Sequence, residues 1–161
     1  MEPSSDLLIR RAVPSDAADI NRLLFQVNAV HHDIRPDLFK AGGKKYTDAQ
    51  LEQLITDDER PIFVAVRGSE ILGYAFCIFQ RHERDNILTD IKTLYIDDLC
   101  VDEPARGAHV GTALYRFVTD FAKESGCYNV TLNVWAGNDS AKAFYEKCGL
   151  KPQKYGMETI L

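Results

Sequence analysis

The residues best suited to chemistry gather in the second half of the chain. The segment Leu99-Cys100-Val101-Asp102-Glu103-Pro104-Ala105-Arg106-Gly107-Ala108-His109-Val110-Gly111-Thr112 runs from a strand-like stretch through a short loop into a helix-like one. Such a junction exposes backbone N–H groups and the positive end of a helix dipole, a combination that suits a pyrophosphate. Arg106 adds a cation, and Gly107 and Gly111 allow the backbone close approach. A plain strand-to-helix turn with incidental glycines is the competing reading. The pattern is not a P-loop, which needs Gly-x-x-x-x-Gly-Lys-Ser/Thr. Nor is it a dinucleotide fingerprint, which needs Gly-x-Gly-x-x-Gly after the first strand of a βαβ unit. Just upstream, Asp97 and Asp98 are adjacent. On a regular strand they point to opposite faces, so one serves a site and the other faces away or caps a neighbour. Strand-end solubility competes with either role.

Other chemistry-bearing residues are less organised. Cys77, Cys100, Cys127 and Cys148 are far apart, with no Cys-x-x-Cys pair, and read as reduced, buried thiols. No ligand cluster for zinc is evident, and no metal is expected. His31 and His32, with Asp33 and Arg35, follow the first helix; adjacent histidines do not readily chelate one ion, so they read as a solvated helix end or an acceptor contact. Trp135, Phe76, Phe79 and Tyr95 read as core rather than an aromatic cage.

Strand-like and helix-like segments alternate, as in a mixed α/β domain. Leu7–Arg11 is a short strand. Pro14-Ser15-Asp16 starts a helix, with Ser15 as cap and Asp16 in the first turn. Ile20, Leu23, Leu24, Val27 and Val30 form its buried stripe. Residues 31–45 are polar and irregular. Thr47-Asp48-Ala49-Gln50 is a capping-box signature opening a second helix through Leu51, Leu54 and Ile55. Ile62–Val66 and Ile71–Phe79 are strands joined at Gly68-Ser69-Glu70. A long strand covers about 90–101, and a helix with Val110, Ala113, Leu114, Phe117, Val118 and Phe121 on one face ends at Gly126. A strand over Val130–Trp135, a helix over Asn138–Lys147 and a final strand over Tyr155–Leu161 complete the order β-α-α-β-β-β-α-β-α-β.

A chain of 161 residues with 45% hydrophobic and 27% charged residues fits one globular domain, residues 1–161. A net charge of −5 argues against nucleic acid or an anionic membrane as partner. Residues Met1–Asp6 lack the basic and apolar regions of a signal peptide, and no apolar run approaches the ~20 residues of a membrane span. The expected location is the cytoplasm.

The loop after Val101 resembles the acetyl-CoA-binding motif of the GCN5-related N-acetyltransferases (GNAT), Arg/Gln-x-x-Gly-x-Gly/Ala. Arg106 matches its first position and Gly111 its last, while His109 replaces the middle glycine. Asn138 to Leu150 resembles the family's second signature, Asn-x-x-Ala-x-x-Phe-Tyr-x-x-x-Gly-Phe. It matches at Asn138, Ala141, Phe144, Tyr145 and Gly149, with Leu150 for the last Phe. Two motifs in order are far more specific than either alone. The strand Tyr95–Val101 is most similar to the polyamine acetyltransferase branch.

The resemblance implies a mixed, mostly antiparallel sheet with helices on both faces, and a fourth and fifth strand splayed around the CoA arm. It implies acetyl-CoA as cosubstrate and no metal. Backbone groups of Leu99, Cys100 and Val101 would bind the pantetheine. The N–H groups of Gly107, Ala108, His109, Val110, Gly111 and Thr112, with Arg106, would meet the phosphates. Asn138, Ala141 and the start of their helix would touch the pantetheine or phosphate region. Tyr145 would stand beside the thioester sulfur as proton donor. Asp97 would act as general base through a water, with Asp98 as its alternate. The ring of His109 is expected to turn outward on ordinary backbone. A homodimer is implied, with the Tyr155–Leu161 strand at the contact. The expected reaction is direct acetyl transfer to a primary amine of a small molecule. Acetylation of a protein lysine or N-terminus, and a non-catalytic acyl-CoA-binding module, remain alternatives.

Overall fold

The computed structural model describes residues 6–161. The leader reading rests mainly on Met1–Ser5, which lie outside the described residues. Nine main elements follow in order: β1 Leu8–Arg11, α1 Ala17–Ile34, α2 Asp48–Ile55, β2 Ile62–Arg67, β3 Glu70–Gln80, β4 Thr93–Val101, α3 Val110–Glu124, β5 Asn129–Leu132 and α4 Asp139–Lys147. The strands form one sheet in the order β1-β2-β3-β4-β5. The first four are mutually antiparallel, and β5 joins β4 in parallel.

Strands β2 and β3 are β-branched and aromatic because both of their faces are covered. On one face Ile62, Val64, Tyr74 and Phe76 pack under Ile20, Leu23 and Leu24 of α1 and Leu51 of α2. On the other, Phe63, Ala65, Ala75 and Cys77 pack under Val110, Leu114 and Val118 of α3. Gly73 in β3 is required by closeness: a Cβ there would stand 2.7 Å from the Cys100 carbonyl oxygen and 3.1 Å from Leu114 Cδ1. The fold therefore has the expected mixed architecture, with helices on both faces of the sheet. No helix among the described residues is long and apolar enough to cross a membrane.

Several local expectations change. Ser15 does not cap α1. A 3-10 turn over Pro14–Asp16 precedes the helix, and Asp16 accepts from the Val13 amide at 2.9 Å and from Arg10 at 2.7 and 3.0 Å. A buried carboxylate with three charge-assisted or backbone donors outcompetes an exposed serine. Helix α1 also runs on to Ile34, which places His31, His32 and Asp33 in its last turns rather than after it. Cys77 and Cys100 are buried, but Cys127 and Cys148 are only half-buried; all four are free thiols. Residues 155–161 form no strand. Their apolar residues are exposed, Tyr155 at 81%, because no strand among the described residues offers them a ladder.

The start of α3 brings a further correction. His109 is the residue before the helix and is exposed, but its backbone is left-handed rather than ordinary, with φ 61° and ψ 18°. The missing motif glycine is therefore missing at a position whose conformation favours glycine. A left-handed non-glycine residue costs roughly 1–2 kcal/mol, against roughly 0.4–1 kcal/mol for the extra unfolded-state freedom of glycine. His109→Gly is expected to raise stability by about 0.5–1 kcal/mol in a denaturant titration. A lowered midpoint would show that the imidazole makes stabilising contacts that outweigh its backbone.

Candidate active site

The site is built around an irregularity in β4. Its register against β3 places Phe76 opposite Asp98 but Cys77 opposite Ile96, leaving Asp97 as an extra residue. Such a β-bulge bends the strand and breaks its alternation. Before the bulge, Leu94 and Ile96 face α3; after it, Leu99 and Val101 do, and Cys100 faces α1. Asp97 and Asp98 therefore do not take opposite faces as expected. Both reach phenols on the α1–α2 side: Tyr46 donates to Asp97, and Tyr74 donates to Asp98 at 2.8 Å.

The bulge also marks where the sheet opens. β4 pairs with β5 only from Thr93↔Asn129 to Ile96↔Leu132. Beyond Ile96 the two strands part, leaving β4 from Asp97 to Val101 with an edge that pairs with no strand among the described residues. Its backbone groups, including those of Leu99, Cys100 and Val101, can hydrogen-bond an extended amide-bearing arm.

The electrostatics divide the protonatable groups by role. Burial pushes the Asp98 carboxyl up to about 6; the Tyr74 hydrogen bond and the Lys45 charge oppose this, and the Asp97 charge adds to it. Asp97 is occupied differently. Lys45 Nζ lies 2.9 Å from its Oδ1, and Tyr46 holds Oδ2. Tyr145, half-buried on α4, has its phenol held well above the ordinary value by burial and then by the Asp98 charge. Cys100 is buried, with its thiol pushed up to about 12 by burial and then by Asp98. A thiol that stays protonated is a poor nucleophile.

The loop from Asp102 to His109 is clamped from α1. Arg22 and Gln26 donate to Asp102 at 2.7 and 3.1 Å, and Gln26 accepts from the Glu103 amide at 3.0 Å. Arg106 is exposed and turns back to the Val101 carbonyl at 3.3 Å. Gly107 has φ 86°, and Ala108 leads to His109. The amides of Val110, Gly111 and Thr112 fall in the first turn of α3, where no intrahelical acceptor is available. These groups fit a pyrophosphate. Gly111 has a second duty, because a Cβ there would stand 3.1 Å from Phe144 Cζ, so it seats α4 against α3. Asn138 caps α4, accepting from the Ala141 amide at 3.4 Å, which orients the helix that carries Tyr145.

The opposite wall comes from the segment 35–47. Phe39 meets His31 at 5.1 Å and Trp135 at 5.2 Å between ring centroids. Trp135 is 40% exposed and is not core, whereas Phe76 is. Phe79 packs on the α3-side core, and the half-buried Tyr95 accepts from Asn133 at 3.1 Å. Among the described residues, no group of three or more His, Cys, Asp or Glu side chains could hold a metal. Sequence reasoning missed Phe39, Lys45, Tyr46 and Tyr74. Tyr46 immediately precedes the capping box, the one local signal that its position is fixed; Tyr74 lies in a buried run that hides its hydroxyl.

The comparisons with known proteins agree with this geometry. The family model described as "Acetyltransferase (GNAT) family" matches residues 27–150. The glucosamine 6-phosphate N-acetyltransferase of Arabidopsis thaliana is 38% identical over 66 residues, which cover 41% of this chain and 42% of that protein. The protein of the same name from Trypanosoma brucei brucei is 33% identical over 67 residues, covering 42% and 44%. The matched stretch is thus less than half the length of either relative. A crystallised mutant of the BH1408 protein from Bacillus halodurans superposes with a TM-score of 0.91 at 29% identity, covering 96% of this chain and 99% of its own. An aminoglycoside acetyltransferase, meta-AAC0020, from an uncultured soil metagenomic sample superposes with a TM-score of 0.73 at 19% identity over 96% of each chain, a likeness of fold alone. With the family model spanning both motifs, the parting strands and the loop between them, the chain belongs to the acetyltransferase (GNAT) family.

Proposed function

We propose that the protein transfers the acetyl group of acetyl-CoA directly to a primary amine of a small molecule in a ternary complex. The observation that carries this reading is the pairing of Asp98 and Tyr145, whose environments suit them to opposite proton transfers. Acetyl-CoA supplies the activated thioester carbon. Asp98, ionised above about 6, accepts the proton of the incoming ammonium, directly or through one water. The freed amine forms the C–N bond as the C–S bond breaks; Tyr145, which keeps its proton, donates it to the departing sulfur and is reprotonated by the second proton the nitrogen sheds, while Asp98 releases the first to solvent. The edge of β4 at Leu99–Val101, Arg106 and the amides from Gly107 to Thr112 hold the thioester in line. The geometry favours Asp98 over Asp97 as base, because Asp97 is already committed to Lys45 and Tyr46.

For the acceptor we favour an amino sugar. The named relatives act on glucosamine 6-phosphate, and Trp135 with Phe39 offers a half-open aromatic wall. The polyamine likeness of the fourth strand is the second reading, and Lys45 on Asp97 weighs against it. Free thiols fit a reducing compartment such as the cytoplasm. A panel of amino sugars, diamines, amino acids and peptides with acetyl-CoA, read by release of CoA thiol, tests the whole assignment. Turnover on peptides alone would move it to protein acetylation, and thiol release with none of the four classes would remove it.

We also infer a homodimer. The outer edge of β5 borders a groove lined by Tyr115, Thr119, Cys127, Asn129, Val130 and Leu150. The tail after Leu150 carries Tyr155, Met157 and Ile160 exposed to water. A second copy's tail would cover that edge and bury those side chains reciprocally, as two-fold symmetry requires.

Tyr145→Phe is expected to keep acetyl-CoA affinity within about threefold while lowering kcat by ~10²–10⁴-fold, the usual range for lost acid assistance. An unchanged kcat with chemistry limiting would reassign Tyr145 to packing. The acceptor kcat/KM is expected to rise with pH through about 6 as Asp98 ionises, with Asp98→Asn abolishing that step. In stability the sign is the reverse. The folded carboxyl binds its proton more tightly than the unfolded chain's does, near ~3.9. Its stabilisation is therefore complete at low pH and is lost as pH rises through about 6, so Asp98→Asn should gain on the wild type above that pH. A pH-independent difference between the two proteins would contradict the assignment. Light scattering should give a dimer mass for the full chain and a monomer mass once residues 155–161 are removed; a monomeric full chain refutes the tail exchange.

A further inference from the structure

The side chain of Lys45 sits in a site made for an ammonium group. Its Nζ lies 2.9 Å from Asp97 Oδ1 and 3.4 Å from the Asp97 carbonyl oxygen. The Tyr46 ring is 5.8 Å away, within cation–π range. Carboxylate, carbonyl and aromatic face are the three partners that a desolvated ammonium seeks. Asp97 keeps only 12% of its side-chain exposure beneath them. The segment that delivers Lys45 is tied down on both sides. Asn28 holds the Lys40 carbonyl at 2.9 Å, and His32 bonds the Phe39 carbonyl at 2.7 Å. Lys44 is bound to Asn21 and Asp48. Lys45 itself is 44% exposed on its solvent side, so it can leave without unfolding its surroundings.

We propose that Lys45 is a specificity-determining residue: a tethered ammonium that fills the Asp97–Tyr46 seat and excludes acceptors whose second cation would need it. The inference rests on the amine-acetylating reading of the adjacent Asp98 and Tyr145. An acceptor with one amine presents it to Asp98 and leaves Lys45 in place. A diamine of suitable length places a second ammonium at Asp97. There it must displace a cation held at high effective concentration by the chain, or suffer like-charge repulsion from it. The positive charge of Lys45 also reaches His31 on the facing helix, where it adds to burial in disfavouring imidazolium. The polyamine likeness of the strand and the absence of a free carboxylate at Asp97 are thus reconciled. The seat for a second ammonium is present, and the chain occupies it.

The test compares wild type with Lys45→Met, which keeps the stem and removes the charge, and with Lys45→Gln as a second neutral variant. Lys45→Arg is the control that retains a cation. Calorimetry measures binding of 1,4-diaminobutane and of glucosamine, and thiol release measures turnover of both. The neutral variants should bind the diamine ~10-fold or more tightly than wild type, a change of ~1.4 kcal/mol, with KM falling in parallel. Glucosamine binding should change less than threefold, and Lys45→Arg should behave as wild type. Unchanged diamine binding in both neutral variants overturns the proposal, as does an equal gain for both ligands or no detectable diamine binding in any variant. Because binding is read without turnover, a diamine gain with no thiol release from any protein would uphold the seat and refute the transferase reading instead.

Discussion

One inserted residue in β4 governs the site. Without the bulge at Asp97, the alternation set by Leu94 and Ile96 would carry Asp98 and Cys100 to the α3 side. With it, Asp97 and Asp98 both turn toward the phenols of Tyr46 and Tyr74. The pairing with β5 stops at the preceding residue, Ile96. Carboxylate placement and strand parting thus meet at one point of the backbone. Contacts beyond the bulge fix the course of the strand: β3 is drawn against β4 at Gly73, and Asp102, just past the end of β4, is clamped by Arg22 and Gln26.

Two adjacent carboxylates on one side would ordinarily repel, and their separate solutions give them separate chemistry. Asp97 is neutralised by Lys45 and shielded by Tyr46. Asp98 has a single phenol partner, so burial lifts it toward neutral pH. A base near the working pH and a phenol that retains its proton can hand protons in opposite directions without either being trapped.

What could be read from the residues alone was whatever local chemistry decides. The Thr47–Gln50 capping box formed as written, because all its partners lie within one turn. The stripe of Ile20, Leu23 and Leu24 is buried, because helical spacing alone places it. The two signatures around Arg106 and Tyr145 mark the family, and both lie within the stretch the family model matches. The misreadings concern partners distant in sequence. Opposite faces for Asp97 and Asp98 follow from an unbroken strand, and only pairing with Phe76 and Cys77 reveals the extra residue. A strand over Tyr155–Leu161 follows from its apolar residues, but a strand exists only where another edge receives it. Lys45 falls in the stretch 31–45, which reads only as polar and irregular, because its partner Asp97 lies 52 residues away.

Gly111 and Phe144 belong to different motifs, yet they share one space: the ring edge lies where a side chain at 111 would begin. The space open to a side chain at one position therefore depends on the side chain at the other. A larger residue at 111 would lever α4 outward and move Tyr145, the very next residue along, away from the cleft. A single methyl there asks the ring to give by only a few tenths of an ångström. The first turn of α3 and the helix that carries Tyr145 are thus coupled mechanically, although the chain writes them far apart.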